Sequence, residues 1–183
     1  MKLPQPRASD RLPDVTLTNH RGEQVRFYSD LIADRPVVIN MMYANCQGTC
    51  PGTTAKLGAI WADLEQSLGA DLRLISVTLD PLHDTPAVLA KYARPYQPRP
   101  DDQVRSDWQF LTGRPSDIEK VRQGLGLTDP DPQVDRDRSQ HAALLTFGND
   151  RTNRWSTVPV EVPEKRMIQV IVRNLRPLKL STT

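Results

Sequence analysis

Val37-Val38-Ile39-Asn40-Met41-Met42-Tyr43-Ala44-Asn45-Cys46-Gln47-Gly48-Thr49-Cys50-Pro51 begins as a strand and ends as the mouth of a helix. Its first residues are β-branched and apolar, the composition of a strand buried on both faces. A short polar loop follows, holding both cysteines of the chain. Leu57, Ile60, Trp61, Leu64 and Leu68 then recur at helical spacing. The order is strand, thiol loop, helix. Cys50 falls at the expected N-cap and Pro51 at the first helical position, where a missing N–H costs nothing. Unpaired N–H groups and the positive end of the helix dipole favour thiolate there. A thiolate is both a nucleophile and a metal ligand, so the motif supports either chemistry.

The rest of the chain narrows the classes. With 183 residues it reads as one domain over 12–177, between a lead-in (1–11) and a tail (178–183) that are expected to be flexible. A domain of this size buries roughly 70% of its unfolded surface, enough for a core without disulfide staples. Net charge is +2 with acids and bases interspersed, which gives no case for nucleic acid or an anionic membrane. No run approaches the roughly 20 apolar residues of a membrane span. Met1-Lys2-Leu3-Pro4 lacks the apolar stretch of a signal peptide. The expectation is a soluble chain.

In order, a proline-rich extended start leads to alternating Val15–Thr18, a turn at His20–Glu23 and a returning strand over Gln24–Phe27, a hairpin. Pro36 starts the central strand. Leu72–Leu79 reads as a second interior strand, parallel to the first because a helix intervenes. Asp84-Thr85-Pro86 reads as a helix cap and first turn, with Val88, Leu89 and Tyr92 inward. Trp108–Leu111 is a third strand. Ser116 and Glu119 form a capping-box pattern for a helix that turns Ile118, Val121 and Leu125 inward and stops near Gly126. Leu127–Gln140, with four Asp, two Arg and two Pro, reads as a long mobile loop delivering His141. Ala142–Phe147 is a fourth strand, Trp155–Val160 an antiparallel edge strand, and Pro163 opens a last helix. Mixed strands with helices on both faces make a three-layer α/β sandwich. Chemistry in such sheets sits beyond the carboxyl ends of parallel strands. Cys46, Cys50 and Asp80 should therefore gather at one edge.

The C-x3-C spacing is not the C-x2-C of thioredoxin-like redox motifs. It leaves open a buried pair, a structural disulfide, a redox dithiol and a metal site. Two thiolates suit Cu(I) or Zn, but a structural zinc wants four protein ligands and no second cysteine pair exists. His141 is open between ligand and bystander; with the two cysteines it makes a trigonal set of the kind copper uses. Asp80 can orient His141 from behind or serve its own Asp-Pro turn. His20 reads as a solvated turn residue and His83 as surface. Met41, Met42, Trp108 and Trp155 read as packing, although methionine is also a soft ligand.

Cys46-Gln47-Gly48-Thr49-Cys50-Pro51 resembles the SCO/SenC/PrrC family of copper-binding thioredoxin-like proteins of cytochrome c oxidase assembly. So do Ile75-Ser76-Val77-Thr78-Leu79-Asp80-Pro81 running into Asp84-Thr85-Pro86, Trp108-x-Phe110-Leu111-Thr112-Gly113, and His141 at a strand start. The resemblance spans roughly Leu12 to Leu175. It implies a thioredoxin fold with an N-terminal β-hairpin and an inserted mobile loop before the metal-binding histidine. It implies a copper ion, Cu(I) or Cu(II), on Cys46, Cys50 and His141, with Asp80 behind them. The implied role is that of a metallochaperone, a thiol reductase, or both, for the binuclear copper site of oxidase subunit II or another copper enzyme. Another copper chaperone or a thioredoxin-like reductant would be its partner. Such proteins face the periplasm or the mitochondrial intermembrane space on an N-terminal anchor. None is seen in this chain, so a trimmed or soluble form is expected. Ala44 stands where the family often carries Thr or Ser, and Gln47-Gly48-Thr49 lack the usual acid.

The alternative from the residues alone is a metal-independent thiol-disulfide oxidoreductase, with Cys46 as the attacking thiolate. A thiol peroxidase is disfavoured because the Thr that commonly precedes its cysteine is missing from this chain. A non-catalytic domain would use the cysteines only as a cross-link.

Overall fold

The computed structural model describes residues 7–45, 50–97, 105–136 and 144–176. Residues 1–6, Cys46 and the loop residues 47–49, Pro98, Pro100, His141 and the tail 178–183 lie outside the described residues. So do the side chain of Cys50 and the end of the expected mobile loop, 137–140.

β3 (Pro36–Met42) is the central strand. Its pleat buries Val37 and Ile39 on one face and Val38 and Met42 on the other. That two-sided burial is why its sequence is a near-continuous apolar run. β4 (Arg73–Thr78) pairs with it in parallel, Val38 opposite Leu74 and Met42 opposite Thr78. The crossover is α1 (Cys50–Leu68), whose Leu57, Ile60, Trp61 and Leu64 are buried. β5 (Asp107–Thr112) extends the parallel run beyond α2 (Pro86–Ala93). The hairpin of β1 (Thr16–Asn19) and β2 (Gln24–Arg26) attaches antiparallel to β5. On the other side β6 (Leu144–Asn149) runs antiparallel to β3, and β7 (Arg154–Pro159) closes that edge. Among the described residues the sheet order is β2-β1-β5-β4-β3-β6-β7. α1, α2 and α5 (Glu164–Leu175) cover one face. α3 (Pro115–Leu125) and the turn carrying Phe27, Leu31 and Ile32 cover the other. This is the expected three-layer α/β sandwich, thioredoxin-like in its central strands and crossover.

Several local expectations shift. Cys50 is the first helical residue, not the cap, so Pro51 is second. Thr85 alone caps α2, its Oγ1 accepting the Val88 N–H at 3.3 Å, and Val88 points to solvent. α3 opens from Arg114 without a side-chain cap; Ser116 lies inside it, and Arg114 pairs instead with Asp117 at 2.7 Å. Gly126 ends that helix in the left-handed region at φ 70°, as its position suggested. The start is not extended throughout: Ala8–Arg11 form a 3-10 turn. That turn is fastened by Ser9 and Arg7 to the buried Asp150 carboxylate, which Tyr28 also reaches at 2.9 Å. Residues 127–136 are not loop throughout either. They include α4 (Pro132–Arg136), held by an ion pair between Asp135 and the largely buried Arg122. β6 begins at Leu144 rather than Ala142. Among the described residues no helix is long and apolar enough to cross a membrane.

Candidate functional site

The carboxyl ends of β3 and β4 finish side by side, and Leu79 N–H still bonds Met42 C=O at 2.7 Å one step beyond. β6 arrives at the same edge from the opposite direction, since Leu145 pairs with Asn40. The exits of β3 and β4 and the entry of β6 therefore share one end of the sheet. In the chain, Cys46 follows the first by four residues, Asp80 follows the second by two, and His141 precedes the third by three.

The turn after β4 is built on Asp80 and Asp84. Asp80 C=O accepts the N–H groups of His83 and Asp84 at 3.1 and 2.9 Å. Asp80 N–H donates to Thr78 Oγ1 at 2.9 Å, and Thr78 Oγ1–H donates to Asp84 Oδ2 at 2.5 Å. The same Asp84 oxygen accepts the Ala44 backbone N–H at 3.0 Å. Asp84 is buried, so its charge rests on such donors in a poorly solvated place. The side chain of Asp80 is largely covered, and its Oδ1 accepts from the His83 Nδ1–H at 2.9 Å. His83 itself is exposed, as expected of a surface residue.

Cys50 opens α1, and Thr53 and Thr54 of the first turn are buried. Thr54 Oγ1 and Tyr92 Oη lie 2.9 Å apart, tying this turn to α2. Behind the edge, within the core, Trp108 Nε1 donates to Ser76 Oγ at 2.9 Å and Ser76 donates to Asn40 Oδ1 at 2.7 Å. That chain joins β5, β4 and β3 crosswise. Met42 is core and Met41 is partly covered on the other face, so both pack.

His20 departs from expectation. It is not a solvated turn residue: its Nδ1 accepts the Phe110 N–H at 3.2 Å, with the ring edge-on to Phe110. Burial, with Arg21 beside it, holds its pKa below the ordinary histidine value. Among the described residues no group of three or more His, Cys, Asp or Glu forms a metal site. Sequence reasoning missed Thr78 and the tie from Asp84 to Ala44. A signal was present: Asp84 and Thr85 are both good caps, a helix takes one, and the other must serve elsewhere.

The comparisons with known proteins converge. The SCO1/SenC family model matches residues 5–176, a span that holds Cys46, Cys50, Asp80 and His141. The SCO1 protein homolog of Bacillus subtilis is 33% identical over 101 residues, 54% of this chain and 47% of that protein. The chain spans about half the length of the curated relatives it matches. The copper-bound structure of Bradyrhizobium japonicum ScoI has a TM-score of 0.64 at 23% identity, covering 87% of this chain and 96% of that one. BsSco, a member of the Sco family of cytochrome c oxidase assembly proteins with a disulfide switch, has a TM-score of 0.68 at 24% identity, covering 95% and 96%. With a family match that takes in nearly every element from the first 3-10 turn to the last helix, the chain belongs to the SCO1/SenC family.

Proposed function

We propose that this chain binds one copper ion through Cys46, Cys50 and His141 and serves the maturation of the binuclear copper site of cytochrome c oxidase. It would act by delivering the metal or by reducing that site's cysteines. The observation that carries the reading is the family match, because all three donor residues lie inside it. The donors fit the ion: two thiolates and a neutral imidazole form a soft, low-coordinate set. When bound, copper supplies a soft cation that thiolates hold and exchange. The residues of the chain do the rest. The first turn of α1 favours the Cys50 thiolate through the positive end of its dipole. Copper bound by ScoI and the assembly role of BsSco support extension to this chain. On this reading 12–177 is the working domain, it faces the periplasm, and its partner is oxidase subunit II or another copper enzyme. Asp80, paired with His83, lies in the turn after β4, at the end of the sheet where β3 exits.

The test is optical. Cu(II) added anaerobically to the reduced protein should raise a visible thiolate charge-transfer band. The band should vanish in Cys46→Ala and shift in His141→Ala. A colourless wild-type protein would contradict the reading.

A second reading has its own support in the disulfide switch of BsSco and in Cys50 opening a helix on a thioredoxin-like sheet. Here Cys46 attacks a target disulfide. The target gains two thiols as Cys46 and Cys50 close into a disulfide. His141→Ala would then leave the exchange rate unchanged.

A further inference from the structure

We propose that Asp84 is a positioning residue for the thiol pair, fixing the point at which the Cys46–Cys50 loop leaves the sheet. The inference rests on Cys46 and Cys50 being the working thiols, as proposed above. Ala44 is two residues ahead of Cys46 in the chain. Its N–H lies past the end of β3, where no ladder partner continues. The Asp84 carboxylate supplies that partner at 3.0 Å from a turn that Thr78 and Asp80 hold rigid. One residue on, Thr85 caps α2. From α2, Tyr92 reaches back to Thr54 on the first turn of α1 at 2.9 Å. One short segment, Asp84 to Tyr92, thus grips the chain on both sides of the loop.

Its burial separates Asp84 from an ordinary turn carboxylate. A buried, charged acceptor shared by a backbone N–H and a hydroxyl is costly to disturb. Holding Ala44 restricts the conformations the loop must lose when its sulfurs meet, which raises their effective concentration toward each other.

The test is the equilibrium of the reduced protein with glutathione disulfide, in which the Cys46–Cys50 bond forms as two glutathione thiols are released. Asp84→Ala should lower the formation constant about tenfold, the worth of one charge-assisted hydrogen bond. Asp84→Asn, whose amide oxygen accepts the same N–H, should restore it to within about threefold. Equal constants for wild type and Asp84→Ala would overturn the proposal, and so would an Asp84→Asn value as low as that of Asp84→Ala. If Asp84→Ala does not fold, amide exchange in the wild type decides. Protection of the Ala44 amide comparable to β3 supports the tie, and exchange at the rate of an open chain overturns it. A wild-type pair that never closes with glutathione would remove the thiol reading itself and the proposal with it. A closing pair unaffected by Asp84→Ala would remove only the proposal.

Discussion

Trp108 Nε1 lies 2.9 Å from Ser76 Oγ, at the centre of the sheet, with both side chains fully buried. Ser76 passes the interaction on to Asn40, so its hydroxyl satisfies a donor and an acceptor at once. Ser76→Ala strands both. Each orphaned buried group costs about 1–3 kcal/mol, so the variant should lose several kcal/mol in urea unfolding. Ser76→Thr, which keeps the hydroxyl, should lose less than Ser76→Ala. A loss below about 1 kcal/mol for Ser76→Ala would mean the hydroxyl carries little.

Glu65 on α1 sets the start of β5. Its carboxylate accepts the Arg105 N–H, the Ser106 N–H and the Ser106 hydroxyl, and Trp61 Nε1 donates to the same Ser106 oxygen at 2.7 Å. Burial pushes the Glu65 pKa up. The Ser106 hydroxyl and N–H, then the Arg105 N–H and charge, outweigh it and hold the pKa below the ordinary 4.5. A carboxyl depressed on folding contributes stability that is present above the unfolded pKa and lost as pH falls through the folded one. Glu65→Gln should therefore be less stable than wild type at pH 7, by about 1–3 kcal/mol. The difference should shrink below pH 4.5 as the wild-type carboxyl protonates. Urea midpoints measured across that range would show it, and a constant difference would refute it.

Gly148 is opposite Trp155 on the β6–β7 edge. A Cβ at Gly148 would come within 2.1 Å of the indole. The ring lies directly over the glycine, so Gly148→Ala must displace it, at a cost of about 1–3 kcal/mol. Changed tryptophan fluorescence should accompany the loss. In a Trp155→Ala background the same substitution should cost much less, and the double-mutant cycle measures the coupling.

The elements legible in the sequence were those with long, uniform patterns. β3 and β4 announce themselves by apolar runs, and α1 by helical spacing that buries Ile60 and Leu64 as read. What escaped depends on contacts distant in sequence. The pair Asp84-Thr85 signals that one of the two serves outside the helix cap, but not that its partner is Ala44, forty residues away. α4 sits in a stretch rich in Asp and Pro, and its tie to Arg122 comes from another helix. His20 looked solvated because turns usually are; the edge-on contact with Phe110 and the bond from its N–H hold the ring half-covered against β5. Cys50 was read as the cap of its helix and is its first residue, one position away. Asp80, open between orienting His141 and serving its own turn, bonds the nearer His83, and His141 lies outside the described residues.

The central claim is that two sulfurs and one imidazole, separated by about half the chain, hold a single copper ion. Copper analysis of the reduced protein after Cu(I) loading against a competing chelator tests it most directly, with wild type beside His141→Ala. The account predicts one copper per wild-type chain and a large loss of affinity without the imidazole. A wild-type protein that leaves the chelator fully loaded, or a His141→Ala variant that binds as tightly as wild type, would contradict it.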